Sequence, residues 1–467
     1  MKEVSLEDKA VTTWLYFYPL LLTQTRLAAE EELAVNSWVH ASDSFSNNHR
    51  EGLGSNTDTE YSHAWLDLRQ GPINMHLPNM EGRYYVIQAI DQWSQTFSAV
   101  GSRTTGSKAA TVVYLPPGMQ KEQYPSGHWP IGASFVKAPS YKVLLLAQLQ
   151  RGTPDQAKQL SGLHAQFILR RHAETFVSEA PEADKAAVKT PDALLESLAA
   201  GLSPVEALSE LEPADYFSWA SALWGSSAVS LSKSDREFAA EIIQLGLYPG
   251  RAIRWQEMTE RRQLMLTKAA KKAADILSSD NNSGRSKRHD GWLYQGDEWY
   301  MADGYTVKVA QPDNYALRAK MALRSPGHLP LAEVITLSAG DHARGGDKLN
   351  GGQGQQYELR FAANNLPPAE GFWSLSVVAN GGGVVDNILG RNRIGSDSQL
   401  TQNPDGSVTI YLSNKNPHGE HSSDTFNWLP TPAKDFRVDL RVFWPSRDIG
   451  GDGGWSMPAI ESRAGLD

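Results

Sequence analysis

The chain of 467 residues contains no cysteine. Without thiol groups it can form no disulfide bond, bind no metal through a thiolate and use no cysteine nucleophile. Long apolar runs are also absent, because the stretch WLYFYPLLL at residues 14–22 is far shorter than the about 20 residues that cross a bilayer. Acidic residues precede it where a signal peptide needs positive charge, so it is predicted to be a buried helix face.

An excess of positive charge is missing as well. The 44 Lys and Arg residues are outnumbered by 53 Asp and Glu residues, and the net charge is −9. This balance argues against nucleic acid as a partner. No glycine-rich phosphate loop, H-E-x-x-H motif, G-x-S-x-G elbow or EF-hand loop is found. No organic cofactor and no membrane partner are therefore predicted, while a divalent metal stays open.

The periodicity of apolar residues divides the sequence into three parts. Residues 4–33 are predicted to be a helix that Ser5 caps, and residues 38–115 contain short aromatic and β-branched strands. Helix-start signals such as Ser203-Pro204 with Glu206 follow between residues 142 and 277. Residues 278–291 are predicted to be an exposed linker, and strands with regular turn signals occupy the rest.

These parts predict a mixed fold that is mostly β with a helical middle section. We assign residues 1–140 to an N-terminal β-rich domain with a leading helix and residues 141–290 to a helical section and linker. Residues 291–467 are assigned to a C-terminal antiparallel jelly roll or β-sandwich. The protein is expected to be soluble, either cytoplasmic as it stands or periplasmic or secreted if a signal peptide was removed.

The stretch GSNTDTEYSHAWLDL, residues 54–68, concentrates titratable side chains in one predicted strand. Asp58 can cap backbone N–H groups in an Asx-type turn, or it can act on a substrate. Later polar positions at odd spacing lie on one side of an extended strand, where they can transfer protons or bind a divalent ion. The candidates for catalysis are Asp58, Tyr61, His63 and Asp67, with Asp91 and Arg103 brought alongside by the following strands.

Two C-terminal segments are candidates for binding. In FRVDLRVFWP, residues 436–445, apolar side chains occupy even positions and charged or aromatic side chains occupy odd positions. One face is therefore core. The other face, with Arg441, either forms cross-strand ion pairs or holds an anionic or hydroxylated ligand. In FNWLPTP, Trp428 either offers its ring to a sugar or is pinned onto the core.

Several long motifs resemble a known pair of domains. NTDTEYSHAWLDL, GRYYVIQAIDQW and VGSRTTG resemble domain of unknown function 1254, and LPPAEGFWSLSV, NWLPTP and LRVFWPS resemble its companion, domain of unknown function 1214. The resemblance covers nearly the whole sequence. It implies two β domains joined by helices, the second a jelly roll, and homo-oligomers. The similarity of that jelly roll to the fold of peptide glycoamidases hints at glycans.

The resemblance also implies a polar signature. It falls in the first domain on Asn56, Asp58, Thr59, Tyr61, Asp67, Asp91, Arg103, Thr104 and Thr105, and in the second on Trp373, Arg393, Asp405, Asn427, Trp428 and Trp444. The predicted substrate contacts are Asn56, Thr104, Thr105, Trp373, Arg393, Asn427, Trp428 and Arg441. Two positions depart from the family pattern: Ser55 replaces a proline, and Ile394 replaces a tyrosine after Arg393, which weakens any role for that position.

Three functions are compatible with these residues. The first is an enzyme, of hydrolase or lyase type, that uses acid-base chemistry on a polar, saccharide-like substrate without an organic cofactor. In it Asp58 or Asp67 is acid or base, His63 and Tyr61 are proton partners, and Arg103 stabilises negative charge. The second is a tailoring enzyme for a hydrophobic metabolite between the domains. The third is a non-catalytic protein for glycan binding or assembly.

Overall fold

The protein is described by a computed structural model. It covers residues 5–30, 34–40, 56–123, 128–152, 154–172, 188–226, 233–279, 287–295, 300–311, 313–340, 348–379, 383, 385–419, 422–446, 449 and 454–463. Within these ranges the architecture is mostly β with a helical middle, as the sequence predicts. No helix in these ranges is long and apolar enough to cross a membrane.

The described residues contain nine helices. These helices are α1 (Leu6–Ala28), α2 (Pro154–Ala157), α3 (Leu160–His164), α4 (Asp192–Ala199), α5 (Pro204–Ser209), α6 (Pro213–Ser226), α7 (Lys233–Gln244), α8 (Glu260–Ser278) and α9 (Tyr315–Arg324). All but α2 and α3 share a helical core, which we call the helical layer. Ser5 caps α1, because its Oγ accepts the N–H of Asp8 at 3.1 Å. The predicted capping box of α5 is also present. The apolar face of α1 forms one core with α5–α9, so the leading helix belongs to the helical layer.

Some strands, such as Gln356–Phe361, alternate in burial, whereas the strand Tyr85–Ile90 is buried at every position. In the first half of the sequence the strands are β1 (Val39–His40), β2 (Thr59–Asp67), β3 (Ile73–Leu77), β4 (Tyr85–Ile90), β5 (Thr96–Gly101), β6 (Ala110–Leu115), β7 (Ser134–Lys137), β8 (Lys142–Gln150) and β9 (Ile168–Arg171). The others are β10 (Lys287–His289), β11 (Trp292–Gln295), β12 (Tyr300–Asp303), β13 (Thr306–Val309), β14 (Val334–Ala339), β15 (Gln356–Phe361), β16 (Ala369–Ala379), β17 (Arg393–Gly395), β18 (Val408–Ser413), β19 (Trp428–Pro430), β20 (Phe436–Pro445) and β21 (Ile460–Arg463).

The N-terminal sandwich consists of a seven-stranded and a four-stranded sheet. The strand orders are β1-β2-β8-β4-β5-β13-β12 and β7-β6-β3-β9. Apolar side chains such as Leu66, Met75 and Leu145 fill the space between the sheets. The strands β12 and β13 extend this sandwich, although the sequence places residues 300–309 in the C-terminal domain. β13 pairs with β5, and β12 pairs with β13; the pairing with β5 is a long-range contact that local periodicity does not encode.

The C-terminal sandwich packs a six-stranded sheet, β10-β11-β14-β20-β16-β17, against a four-stranded sheet, β19-β18-β15-β21. The even positions of β20 enter the core between the sheets, which confirms the predicted alternation. Residues 287–289 of the predicted linker form β10, and residues 280–286 of it lie outside the described residues. The odd positions of β20 face away from this core, towards the N-terminal sandwich.

Candidate functional site

The two sandwiches meet through an apolar contact between their large sheets. Phe372 on β16 and Phe443 on β20 point away from the C-terminal core, and their rings stack with centroids 4.2 Å apart. They pack with Tyr84 and Val86 of β4 and its preceding turn. This contact fixes the relative position of the two sheets.

Beside the apolar contact, the same face of the C-terminal sheet becomes polar. Ser374 on β16 is paired with Arg441 on β20, and Ser376 is paired with Arg393 on β17. Directly paired residues project from the same face of a sheet, and neighbouring strands lie about 4.8 Å apart. The two arginines therefore stand on either side of the two serines.

Asp58, which immediately precedes β2, lies between these two guanidinium groups. Its side chain is fully buried. The distance from Asp58 Oδ2 to Arg441 Nη1 is 3.5 Å, and that from Asp58 Oδ1 to Arg393 Nε is 3.8 Å. Close charge-assisted hydrogen bonds measure about 2.7–2.9 Å. The carboxylate is thus attracted by both arginines but tightly bonded to neither.

The turn before β2 does not use the Asp58 carboxylate. Asn56 Oδ1 accepts the N–H of Asp58 at 2.9 Å, so Asn56 makes the Asx-type turn. The backbone carbonyl oxygen of Asp58 accepts the N–H of Arg151 at 2.9 Å. The backbone of Asp58 is therefore fixed at the end of β8 while its side chain faces the C-terminal sheet.

Further ion pairs balance the charges of Asp58, Arg393 and Arg441. Arg393 pairs with Asp397, and Arg441 Nη2 lies 3.6 Å from Asp439 Oδ2. Asp439 also accepts hydrogen bonds of 2.8 and 3.0 Å from Arg437. Three carboxylates thus face three guanidinium groups, and the formal charges of these six groups sum to zero.

Four buried polar atoms at this point make no hydrogen bond to the residues that the structure describes. They are Asp58 Oδ1, Arg393 Nη1, Ser374 Oγ and Ser376 Oγ. A buried polar group without a partner costs about 1–3 kcal/mol. Each of these groups therefore calls for a partner beyond the described side chains, such as a water molecule or a ligand. We call these four residues with Arg441 the interdomain cluster.

A series of hydrogen bonds supports the cluster from the side of β2. Asn56 Nδ2 donates to Tyr61 Oη at 2.8 Å and to Thr59 Oγ1 at 3.0 Å. Thr59 donates to Gln148 on β8 at 3.5 Å, and Gln148 donates to Gln88 on β4 at 3.2 Å. Burial raises the pKa of Tyr61, although its hydrogen bonds oppose this shift. The Tyr61 hydroxyl therefore keeps its proton at neutral pH.

The other titratable residues predicted on β2 have different partners. His63 Nε2 lies 3.2 Å from Glu30 Oε1. Asp67 pairs with Arg69 and, at 2.8 Å, with Lys142. Burial would raise the pKa of Asp67, but the hydrogen bonds from Arg69 and the charge of Lys142 lower it to about 2. Because a strand rises about 3.3 Å per residue, positions 61 and 67 are about 20 Å apart and do not form one site.

Asp91 lies in the hairpin between β4 and β5, next to the helical layer. Its Oδ1 accepts the N–H groups of Trp93 and Gln95, each at 2.9 Å. Burial raises the pKa of Asp91 to about 6, although these hydrogen bonds and the charge of Arg318 oppose the shift. The structure therefore does not bring Asp91 to the interdomain cluster.

Replacing Asp91 by asparagine is expected to change how stability depends on pH. The pKa of about 6 exceeds the ordinary value of 3.8, so between these pH values only the folded protein holds the proton. The wild type therefore gains stability as the pH falls through 6 and loses it again as the pH rises. The asparagine side chain would keep the acceptor for both N–H groups without titrating. The variant should be more stable than the wild type at pH 8, by about 3 kcal/mol at most.

Urea unfolding of both proteins at pH 8 and pH 5 measures this difference. The advantage of the variant should be clearly smaller at pH 5, because the folded wild type then holds the proton on Asp91. An equal difference in the free energy of unfolding between the two proteins at both pH values would show that Asp91 does not titrate in this range.

Arg103, Thr104 and Thr105 form a turn at the interface, away from Asp58. The two threonine hydroxyls bond to the backbone of the same turn. Arg103 Nε donates to Glu333 Oε1 at 2.7 Å, and Tyr84 Oη donates to the other oxygen of this carboxylate at 3.2 Å. Burial raises the pKa of Glu333, and Arg103 opposes the shift. The structure therefore places Arg103 in an ion pair that joins the two domains.

The aromatic and amide candidates of the C-terminal domain are held inside it. Trp373 belongs to the sandwich core. Trp428 is buried and its Nε1–H donates to the backbone carbonyl of Ser413 at 3.0 Å, so its ring has no open face for a sugar. The side chain of Asn427 bonds to the backbone of Thr401. Of the predicted substrate contacts, Asn56, Arg393 and Arg441 lie at the interdomain cluster.

Sequence reasoning missed Ser374, Ser376 and Asp397. The signal for the serines is present in FWSLSVV, where small polar residues alternate with apolar ones. This alternation predicts a polar sheet face, but it does not reveal that a second domain covers that face. The role of Asp397 depends on the loop after β17 and has no local signal.

Among the described residues, no group of three or more histidine, aspartate or glutamate side chains is placed to hold a metal ion. His40 and His164 stack with ring centroids 4.7 Å apart. Their Nδ1 atoms face Ser62 and Glu60 at 2.9 and 3.4 Å. These contacts direct both histidine side chains towards strand β2.

Comparison with protein families finds two matches in the predicted order. The family described as "Protein of unknown function (DUF1254)" matches residues 35–171, and "Protein of unknown function (DUF1214)" matches residues 333–447. Asp58 lies in the first match, and Ser374, Ser376, Arg393 and Arg441 lie in the second. The interdomain cluster thus draws on both matched regions.

One of two similar solved structures supports the fold. The chain is similar to the crystal structure of the VPA0106 protein from Vibrio parahaemolyticus, with 21% identity and a TM-score of 0.68 over 98% of this chain and 100% of that chain. An uncharacterised protein from Burkholderia cenocepacia aligns with 12% identity and a TM-score of 0.43, over 98% of this chain and 95% of that chain. No curated protein matches the sequence. The first similarity supports the fold alone.

Proposed function

The chain belongs to the two-domain family in which DUF1254 precedes DUF1214, and we propose that it is a cofactor-independent enzyme with its active site at the interdomain cluster. The substrate is a small polar molecule that contacts both domains. Asp58 transfers a proton, and Arg393 and Arg441 stabilise the negative charge that develops on the substrate. His63, Asp67, Asp91 and Arg103 have no role in this chemistry, because other contacts engage them.

One observation carries this proposal. Asp58 is completely buried, and its Oδ1 makes no hydrogen bond to any residue that the structure describes. Burial of a carboxylate is costly unless close hydrogen bonds compensate it. Here the nearest cationic atoms lie at 3.5 and 3.8 Å, so one carboxylate oxygen is left without a close partner among the described residues.

The proposed step uses Asp58, the two arginines of the interdomain cluster and Tyr61. The Asp58 carboxylate takes a proton from an O–H or an acidic C–H of the substrate, and an O–H bond forms on Asp58. The electron pair stays on the substrate, where the two guanidinium groups face it. Tyr61, which keeps its proton because its pKa is raised, lies on the Asn56 side of the cluster and serves as the second proton partner. A hydrolysis or an elimination can begin in this way.

Asp58→Asn is expected to slow turnover about a hundredfold, the lower end of what a general acid or base contributes. The purified full-length protein is incubated with a polar metabolite extract, and consumed compounds are followed by mass spectrometry. Asp67→Asn is the matched control. It removes the carboxylate at the end of β2, which pairs with Arg69 and Lys142 and lies outside the cluster.

The control should consume the same compounds at nearly the wild-type rate, although its stability should be lower. Circular dichroism confirms that both variants are folded at the assay temperature. Equal rates for the wild type and Asp58→Asn would remove Asp58 from the mechanism.

A further inference from the structure

We infer that the interdomain cluster binds an uncharged group with neighbouring hydroxyls, a diol or polyol, rather than an anion or a cation. This inference rests on the proposed function for the place of the site. It concerns what binds there and holds whether or not the bound molecule is turned over.

The first argument is the hydrogen-bonding capacity of the unsatisfied atoms. Arg393 Nη1 can only donate, Asp58 Oδ1 as a carboxylate oxygen can only accept, and the hydroxyls of Ser374 and Ser376 can do both. A ligand hydroxyl can donate to the carboxylate and accept from the guanidinium. A carboxylate or phosphate offers only acceptors, and an ammonium offers only donors. Neither can therefore satisfy Asp58 and Arg393 together.

The second argument is the charge of the cluster. Asp58, Asp397 and Asp439 are matched by Arg393, Arg437 and Arg441, each in an ion pair described above. A charged ligand would add an uncompensated charge to a buried place, which is costly. An uncharged polar ligand avoids this cost.

The distance between Asp58 and Arg393 also suits a ligand with adjacent hydroxyls. Asp58 Oδ1 and Arg393 Nε are 3.8 Å apart, too far to bond to each other and close enough for adjacent hydroxyls of one molecule to reach both. The two serines lie between the strands of the two arginines and face the same side. Because Asp58 comes from one domain and the other groups from the second, the ligand contacts both domains.

The experiment compares ligands of similar size and different charge. Binding of glycerol, myo-inositol, glucose, gluconate and glucosamine to the full-length wild type is measured by isothermal titration calorimetry. Calorimetry is preferred to thermal shifts because polyols stabilise proteins non-specifically. At least one neutral polyol should bind, and gluconate and glucosamine should each bind at least about tenfold more weakly than the best neutral compound.

A double variant tests the contribution of Ser374 and Ser376 to ligand binding. Ser374→Ala with Ser376→Ala should weaken binding of the best polyol about tenfold, the effect of losing two hydrogen bonds. Ser413→Ala is the matched control, because Ser413 is also buried in this domain but bonds to the backbone carbonyl of Lys415. The control should bind as the wild type does.

The outcomes separate this inference from the proposed function. Binding of a neutral polyol that depends on the serines, without turnover by any extract component, supports the inference and removes the enzymatic proposal. Turnover of a charged compound that Asp58→Asn abolishes supports the enzyme and overturns the inference. The inference is also overturned by tighter binding of gluconate or glucosamine, by unchanged binding of the polyol to the double variant, or by no binding of any polyol.

Discussion

Replacing Arg103 by methionine should lower the free energy of unfolding by about 3–5 kcal/mol, because it leaves a buried carboxylate without its cation. Glu333 has no exposed side-chain area, and its Oε1 accepts the 2.7 Å hydrogen bond from Arg103. Methionine keeps most of the volume of the arginine stem but supplies no charge. The loss is measured by urea unfolding at pH 8.

The variant Arg103→Met should lose less stability relative to the wild type at acidic pH. Burial already raises the pKa of Glu333 above its ordinary value, and removal of Arg103 takes away the charge that opposes this shift. The folded variant then holds a proton on Glu333 that the unfolded protein releases, so its stability rises as the pH falls. Comparing pH 8 with pH 5 should show a clearly smaller loss at pH 5.

The double variant Arg103→Met with Glu333→Gln is the control for this interpretation. Replacing both partners removes the unpaired charge, so stability at pH 8 should recover in part. If the single variant were as stable as the wild type, the contact between Arg103 and Glu333 would not join the domains. Arg103 would then be open again to the catalytic role that the sequence suggests.

Replacing Arg318 by methionine should cost a similar amount, about 3–5 kcal/mol. Arg318 of α9 is buried and its Nη1 lies 2.8 Å from Oδ1 of Asp235 on α7. Its guanidinium also lies 5.4–5.9 Å from the ring centroids of Tyr16, Trp93 and Tyr315. The Arg318 side chain, which belongs to α9, thus contacts α7, α1 and the β4–β5 hairpin. Its loss leaves Asp235 buried without this cation.

Two further variants identify the cause of that loss. Arg318→Lys keeps the charge but lacks the planar group that stacks on rings, so it should fall between the wild type and Arg318→Met. Arg254→Met is the surface control, because the pair of Arg254 with Glu257 is largely exposed and such pairs contribute little. Equal stabilities of Arg318→Met and Arg254→Met would contradict the proposed importance of the buried pair.

Much of the fold is predictable because it depends on local patterns. Alternation along residues 436–445 identifies a strand with one buried face, and Ser203 with Glu206 identifies a helix start. Both signals arise within a few residues, where strand pleating or the unpaired N–H groups of a helix end select the side chains. The placement of β12 and β13 could not be predicted in this way, because β13 joins the sheet through β5, which is about 200 positions away.

The candidate site is predictable only in part, for the same reason. The sequence marks Asn56, Asp58 and Tyr61 as an unusual polar group, and the structure brings them near Arg393 and Arg441. The same pattern also marks His63 and Asp67, which lie farther along the strand with other partners. Alternation tells which side of a strand a residue occupies, but it does not tell what covers that side.

The amino-acid sequence by itself determined the mostly β architecture with a helical middle section, the apolar faces that form the three main cores, and the family. These properties follow from short-range sterics and from the burial of apolar side chains, which neighbouring residues encode. Only the tertiary structure decided which polar side chains meet. A buried carboxylate between two arginines requires that two separately folded sheets pack at one distance and angle, and that packing depends on the shapes of both surfaces at once.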